Sequence, residues 1–254
     1  MGTIKKLLYK LLNETTYLKT LHRSFYFLYS LGILKKDERF KYHYMVKKVI
    51  EPNFNIIDIG ANLGYFSKTF ARLIPNGKLI SIEPVPQFYK VLSYFLKPYK
   101  NATIFNVALG DTEGSITMVL PKSNGMIRTG LPHIAESEEE KSQHATQEVA
   151  IVKGTELFKD LTALDYIKCD IEGYELTVFE EIKPILTKFE PFVQLEISAK
   201  NTDAMLALFS DLGYTQFGIA NFNFVQETGI QQEEGDYFFV PKNRLAGFKE
   251  KFTC

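Results

Sequence analysis

The run Ile56-Ile57-Asp58-Ile59-Gly60-Ala61-Asn62-Leu63-Gly64 constrains this chain more than any other: an apolar, β-branched stretch breaks into glycines and passes at once into the helical spacing of residues 65–73. A short β-branched run predicts a buried strand, and glycines directly after it predict a turn where backbone can approach a ligand closely. In open sheets with helices on both faces, ligands bind outside the carboxyl ends of the strands, at the point where strand order reverses. The expectation is an α/β chain with a doubly wound, mostly parallel sheet and a ligand at the Gly60 to Gly64 turn.

The pattern downstream supports repeated βα units. Strands are expected at residues 56–59, 78–82, 103–107, 164–169 and 191–197, with helices at 65–73, 87–96, 174–182 and 203–212. Residues 214–219 and 237–240 predict two late strands, an antiparallel pair. Further strands at 115–120 and 148–152 flank a polar stretch, 122–147, which is expected to be a long loop acting as a substrate-side lid. The domain expectation is a helical basic extension over residues 1–50, a main domain over 51–242 with its insertion at about 121–147, and a tail over 243–254.

Lys plus Arg number 30 and Asp plus Glu 30, so overall charge gives no reason to expect nucleic acid. The distribution is uneven. Residues 1–50 hold eleven basic against three acidic residues, with Ile4, Leu7, Leu8, Leu11 and Leu12 at helical spacing among Lys5, Lys6 and Lys10, and an aromatic patch at 25–29. That extension is expected to pack on the main domain or to dock on a membrane surface or a partner. Acids cluster at Glu136, Glu138, Glu139 and Glu140, and again at Glu233, Glu234 and Asp236. Cys169 and Cys254 are the only cysteines, which excludes a disulfide framework and a cysteine zinc site. With no secretory h-region and no run of about 18 apolar residues, the expected compartment is cytoplasmic.

Glu83, nineteen residues beyond Gly64, ends the next strand, where a carboxylate can accept bonds from both hydroxyls of a ribose. A dinucleotide fingerprint starting at Gly60 needs glycines at 62 and 65, where Asn62 and Tyr65 stand. A ligand with adenosine but no phosphates fits better, and S-adenosylmethionine meets that demand. Asp58 is expected to hold its ammonium, backbone around Gly60, Ala61, Asn62 and Gly64 to face its carboxylate, Glu83 and Pro84 to take the ribose, and Asn106, Val107 and Ala108 to border the adenine. A tight βα turn without ligand is the bland alternative.

A second motif, Ile167-Lys168-Cys169-Asp170-Ile171-Glu172-Gly173-Tyr174-Glu175, again ends a buried strand in carboxylates. With residues 58–64, Glu83-Pro84, 106–110 and 191–196, it resembles the FkbM-like family of methyltransferases over roughly residues 50–242. The resemblance implies a class I methyltransferase fold, Rossmann-like, with a seven-stranded sheet in the order 3-2-1-4-5-7-6. It also implies methyl transfer to a hydroxyl of a sugar, glycan or polyketide. It leaves the extension and the 122–147 stretch unmatched, so acceptor identity does not carry over.

Methyl transfer to oxygen depends on alignment and on removing the hydroxyl proton. Asp170 and Glu172 are the candidate bases; Asp170 also borders the cofactor. Lys168, two residues before Asp170 and so on the same face of the strand, is expected to tune it or to orient the acceptor. Glu172 and Glu175 have a second reading as acids favoring the first turn of the next helix. Glu196 makes a divalent metal with Asp170 and Glu172 conceivable, but the spacing is not diagnostic and a metal is not favored. His133 in the lid is a candidate base or acceptor contact. The competing functions are an NAD-dependent oxidoreductase or epimerase, and a non-catalytic binding module in glycan assembly.

Overall fold

The computed structural model of this 254-residue chain describes residues 12–123, 126–135, 137–226 and 235–253. Ile4, Leu7, Leu8 and Leu11 of the basic run, Glu136, Glu233, Glu234 and Cys254 lie outside the described residues. Helices α1 (Glu14–Ser30) and α2 (Lys41–Val49) lead into β1 (Asn55–Ile59), α3 (Tyr65–Leu73), β2 (Lys78–Ile82), α4 (Pro86–Leu96) and β3 (Ala102–Phe105). An inserted section follows: β4 (Ala108–Gly110), β5 (Gly114–Leu120), β6 (Lys122–Ser123), β7 (Met126–Ile127), β8 (His133–Ile134), α5 (Glu138–Gln143) and β9 (Ala145–Lys153). The chain then returns through α6 (Gly154–Leu157), β10 (Tyr166–Cys169), α7 (Glu175–Glu181), α8 (Lys183–Phe189), β11 (Phe192–Ile197) and α9 (Thr202–Asp211). It closes with β12 (Tyr214–Ala220), β13 (Asn223–Gln226), β14 (Gly235–Pro241) and α10 (Leu245–Phe252).

The main sheet runs β13-β12-β14-β11-β10-β1-β2-β3. Without β13 this is the order 3-2-1-4-5-7-6, with β14 antiparallel to both neighbors. Among the described residues the sheet has eight strands rather than seven, because residues 223–226 form a hairpin with β12 at the edge. Only Phe224 of β13 is buried, so the strand has no alternating apolar signature to announce it.

Strand register sorts the side chains into two layers. Ile57 and Ile59, with Ile167, Cys169, Val193 and Leu195, pack beneath α7, α8 and α9 on one face. Ile56, Tyr166, Phe192 and Phe238 lie on the other face among Tyr42, Met45, Val46 and Val49 of α2. The two helices of the extension are thus part of the packing: Tyr17 and Leu18 of α1 are buried against Val85, Phe88 and Val91. Between these apolar rows the register places one polar row, Ser81, Asp58, Lys168 and Gln194, across β2, β1, β10 and β11. All four are buried.

The stretch expected as a long loop is instead structured. Strands β4, β9, β5 and β8 form a second sheet, β6 and β7 form a small hairpin, and α5 is capped by the Ser137 hydroxyl. Met118, Leu120, Ile127, Val149 and Ile151 of this section are buried in one cluster with Val85 and Phe88, while α5 buries nothing, so the polar residues between hide short strands that hydropathy does not report. The third strand stops at Phe105, two residues early, and the chain re-enters a strand at Ala108 in the second sheet. The expected tail forms α10, whose Phe248 is 2% exposed and packs 5.0–5.7 Å from the rings of Phe192, Phe217, Phe224 and Phe238. Phe248→Ala should therefore destabilize the whole chain by about 3–5 kcal/mol, the cost of deleting a buried aromatic ring. Urea unfolding checks this, and a loss under about 1 kcal/mol would mean that α10 is only loosely attached.

Candidate active site

At the center of the polar row lies the Lys168 ammonium, 4% exposed, 3.2 Å from Asp170 Oδ2, 3.8 Å from Asp58 Oδ1, and donating to the Gly60 carbonyl at 3.2 Å. Burial works against this charge, but Asp170 and Asp58 outweigh it and hold the lysine above its ordinary pKa. Asp58 is fully buried. Its Oδ2 accepts from the Ser67 hydroxyl at 2.5 Å, and Ser81 donates to Ser67 at 3.0 Å. Burial raises the Asp58 pKa, against the pull of Lys168 and Ser67.

The turn after β1 is fixed by backbone. Gly60 and Ala61 both donate to the Ile82 carbonyl, at 3.0 and 2.9 Å, and Gly64 donates to Ala61 at 2.8 Å. Gly60 has φ +73°, and a Cβ there would stand 1.9 Å from the Asp170 carbonyl oxygen, so no side chain fits between β1 and β10. Asn62 tolerates its φ of +52° because its own Oδ1 accepts from Leu63 at 2.8 Å.

Glu83, 4% exposed, is clamped by two amides: Oε2 accepts from Asn62 N–H at 2.7 Å and Oε1 from Val85 N–H at 2.9 Å. Burial pushes its pKa up to about 7, opposed by those two bonds and by Lys168. Asn106 braces the same corner, donating to the carbonyls of Glu83 and Pro84 at 2.8 and 2.9 Å.

One cleft opens where these turns meet. Gly60, Asn62, Glu83, Pro84, Val107, Ala108, Asp170 and Glu172 all line it. Sequence had placed every one of them at the site. Five expected contacts are corrected. Asp58 and Lys168 lie beneath the cleft and not on its wall, because strand alternation turns them into the polar row. Asn106 spends its amide on the two carbonyls, and Ala61 and Gly64 belong to the turn. Nor are the amides of Gly60, Ala61, Asn62 and Gly64 free to face a ligand carboxylate, since each already has an acceptor.

Residues that sequence reasoning missed complete the wall: Val85 and Phe88 from the α4 end, Met118 from β5, and Gly130, Pro132 and Ile134 from around β8. The inserted section thus covers the cleft. Ile171 and Tyr174 also line it, and both stand inside the quoted 167–175 motif. His133, between Pro132 and Ile134, does not line the cleft; Nε2 is 2.6 Å from Glu140 Oε1 and Nδ1 is 2.8 Å from the Leu131 carbonyl. Glu175 accepts from Gly173 N–H at 2.8 Å and serves its helix turn.

Glu172, at φ +53°, borders both this cleft and an adjoining hollow with Gly173, Tyr174, Lys200 and Asn201. On the other side Glu196 and Asp236 are register partners, and burial together with Asp170 raises the pKa of both. Among the described residues, no group of three or more His, Cys, Asp or Glu is arranged to hold a metal ion.

Residues 58–215 match the Methyltransferase FkbM domain. The chain belongs to the FkbM methyltransferase family. It is similar to the 2-O-methyltransferase NoeI of Sinorhizobium fredii, at 27% identity over 66% of this chain and 73% of that protein. Among solved structures, an FkbM methyltransferase from Methylobacillus flagellatus matches with a TM-score of 0.50 and 14% identity, over 75% of this chain. The match spans 44% of that longer chain, and at this identity it supports the fold alone.

Lys168→Met should destabilize the chain by about 3–5 kcal/mol, because Asp58 is left buried without a counter-charge. Adding Asp58→Asn should restore part of the loss. Denaturant titration of the single and double variants checks this, and a neutral single variant would mean that the pair is not structural.

Proposed function

We propose that this methyltransferase uses S-adenosylmethionine and methylates a hydroxyl of a sugar, glycan or secondary metabolite. The supporting observation is the cleft that Glu83, Asp170 and Glu172 share with the apolar residues Val107, Ala108, Met118 and Ile134. Because β2 and β10 flank β1, Glu83 and Asp170 stand about two strand spacings apart, roughly 10 Å. That separates a ribose-binding acid from the reacting end. Each Glu83 oxygen keeps a lone pair beyond its amide bond, so the side chain can accept from two ribose hydroxyls. The apolar wall suits an adenine face. The donor set therefore fits an adenosyl sulfonium, whose contribution when bound is a methyl group displaced from sulfur to an acceptor oxygen.

The two mouth carboxylates have different tasks in this reading. Asp170, 37% exposed, is held in direction by the Lys168 ammonium at 3.2 Å. It orients the cationic end of the cofactor. Glu172, bordering the hollow beyond the cleft, takes the acceptor hydroxyl proton. The lid residues Gly130, Pro132 and Ile134 exclude water from the reacting end. The similarity to a 2-O-methyltransferase supports oxygen as the acceptor atom. An NAD-dependent reaction is disfavored, since the Asn62 amide that a pyrophosphate would need is bound to Glu83.

Calorimetry with S-adenosylhomocysteine tests the cofactor reading. Glu83→Ala should weaken binding by about 1.5–3 kcal/mol, as for hydrogen bonds to a charged group; an unchanged affinity would place the ribose elsewhere. The pH dependence has a definite sign. Glu83 has its pKa raised from 4.5 to about 7, so the folded, ligand-free chain binds this proton more tightly than the unfolded chain. Its contribution to stability is present at low pH and is lost as pH rises through that window. Ribose hydroxyls donate to the ionized carboxylate, so affinity should rise with pH and level off above about 7; Glu83→Ala should flatten that profile.

A screen of hydroxylated sugars with radiolabeled donor tests the transfer step. On any acceptor found, Glu172→Gln should lower kcat by about 100- to 10,000-fold with cofactor affinity kept, as for loss of a general base. Asp170→Asn should weaken binding as well. Full turnover in Glu172→Gln would remove it as the base, and cofactor binding without turnover on every acceptor would favor a binding module.

A further inference from the structure

Helix α1 buries Tyr17, Leu18, His22 and Tyr29. Facing away from these, Lys19, Arg23, Phe27 and Leu31 follow one another at four-residue spacing and so form one outer ridge. Phe27 is 63% exposed and Leu31 58%, and Ile33, just past the Gly32 turn, is 53% exposed. Tyr94 of α4 joins them: the Lys19 ammonium lies 3.5 Å over its ring and Arg23 donates to its hydroxyl at 3.3 Å. Of the exposed large apolar side chains among the described residues, only Val225 lies elsewhere.

Cations surround this tip. Lys35, Lys36 and Lys47 are exposed, with Lys35 over the Tyr44 ring and Lys47 over the Tyr29 ring. The nearest acids in sequence are Asp37, bound to Arg39 at 2.6 Å, and Glu38. A merely solvated basic face does not need Phe, Leu and Ile at its crest. Side chains more than half exposed stand on a convex ridge, which a fluid surface can envelop without a complementary pocket. A ridge of Lys and Arg with an aromatic and aliphatic tip is the composition of helices that lie in a lipid interface.

We propose that the ridge from Lys19 to Ile33 docks this protein on an anionic lipid surface, with Phe27, Leu31 and Ile33 entering the acyl boundary and the flanking lysines meeting lipid phosphates. The proposal does not depend on the methyl-transfer reading.

Co-sedimentation of the full chain with vesicles of phosphatidylcholine alone, or mixed with phosphatidylserine, tests it. Binding is expected to the mixed vesicles only, and to fall with added salt. Lys19→Glu with Arg23→Glu should weaken it by at least about 25-fold, at roughly fivefold per basic residue near an anionic surface. Phe27→Ser with Leu31→Ser should weaken it at least tenfold, because a partitioning apolar side chain is lost at each position. Both double variants should keep the S-adenosylhomocysteine affinity of the parent, and Phe27→Ser with Leu31→Ser its thermal melt as well, which separates failure of docking from failure of the active site. No binding by the parent, or equal binding by both variants, overturns the proposal. It is equally overturned if sedimentation velocity shows a dimer that both variants dissolve, or if deleting residues 1–11 alone abolishes vesicle binding.

Discussion

A single buried ammonium ties the two halves of this sheet together at its mouth. Lys168 reaches the Gly60 carbonyl on one strand end, Asp170 on the next, and Asp58 beneath them. An unpaired charge in that position would be costly, so the three partners are obligatory once the lysine is there. The arrangement exists because β1 and β10 pair in register, Asp58 opposite Lys168. Its consequence is geometric: the Gly60 turn and the Asp170 carboxylate are held against each other at the floor of the cleft.

The second fixed point is Glu83. A buried carboxylate with both oxygens on backbone amides is already in position before any ligand arrives, so little ordering remains to be done on binding. Burial keeps its proton affinity high, so this charge responds to what fills the cleft. The opposite wall has another origin. Met118 and Ile134 come from the small second sheet, built from the section inserted after β3, which packs with Val85 and Phe88 beside the Glu83 corner.

Much of the scaffold was legible because the buried parallel strands are short apolar runs, each interrupted once by the shared polar row of Ser81, Asp58, Lys168 and Gln194. Residues 78–82 were read correctly to both ends, as was the helix over 65–73. Motif positions at strand ends singled out Gly60, Glu83, Asp170 and Glu172, which the fold brings to one cleft. Side-chain direction was not legible at Asp58: a lone acid in a buried strand can face the ligand or the layer below, and only the partner at Lys168 settles it. The cleft walls at Met118 and Ile134 were hidden too, since they reach the site through pairing of β5 with β8, a two-residue strand inside a polar stretch. The eighth strand and the C-terminal helix were missed for want of contrast, each being short and anchored mainly by one aromatic residue, Phe224 or Phe248.

One cleft bounded by the ends of β1, β2 and β10 carries the proposed chemistry. A crystal structure of the chain with S-adenosylhomocysteine is the most direct test. The ribose hydroxyls should lie within hydrogen-bond distance of Glu83, the adenine between Val107, Ala108 and the lid, and the sulfur toward Asp170 and Glu172. A ligand bound elsewhere, or one in this cleft with its ribose turned away from Glu83, would contradict it.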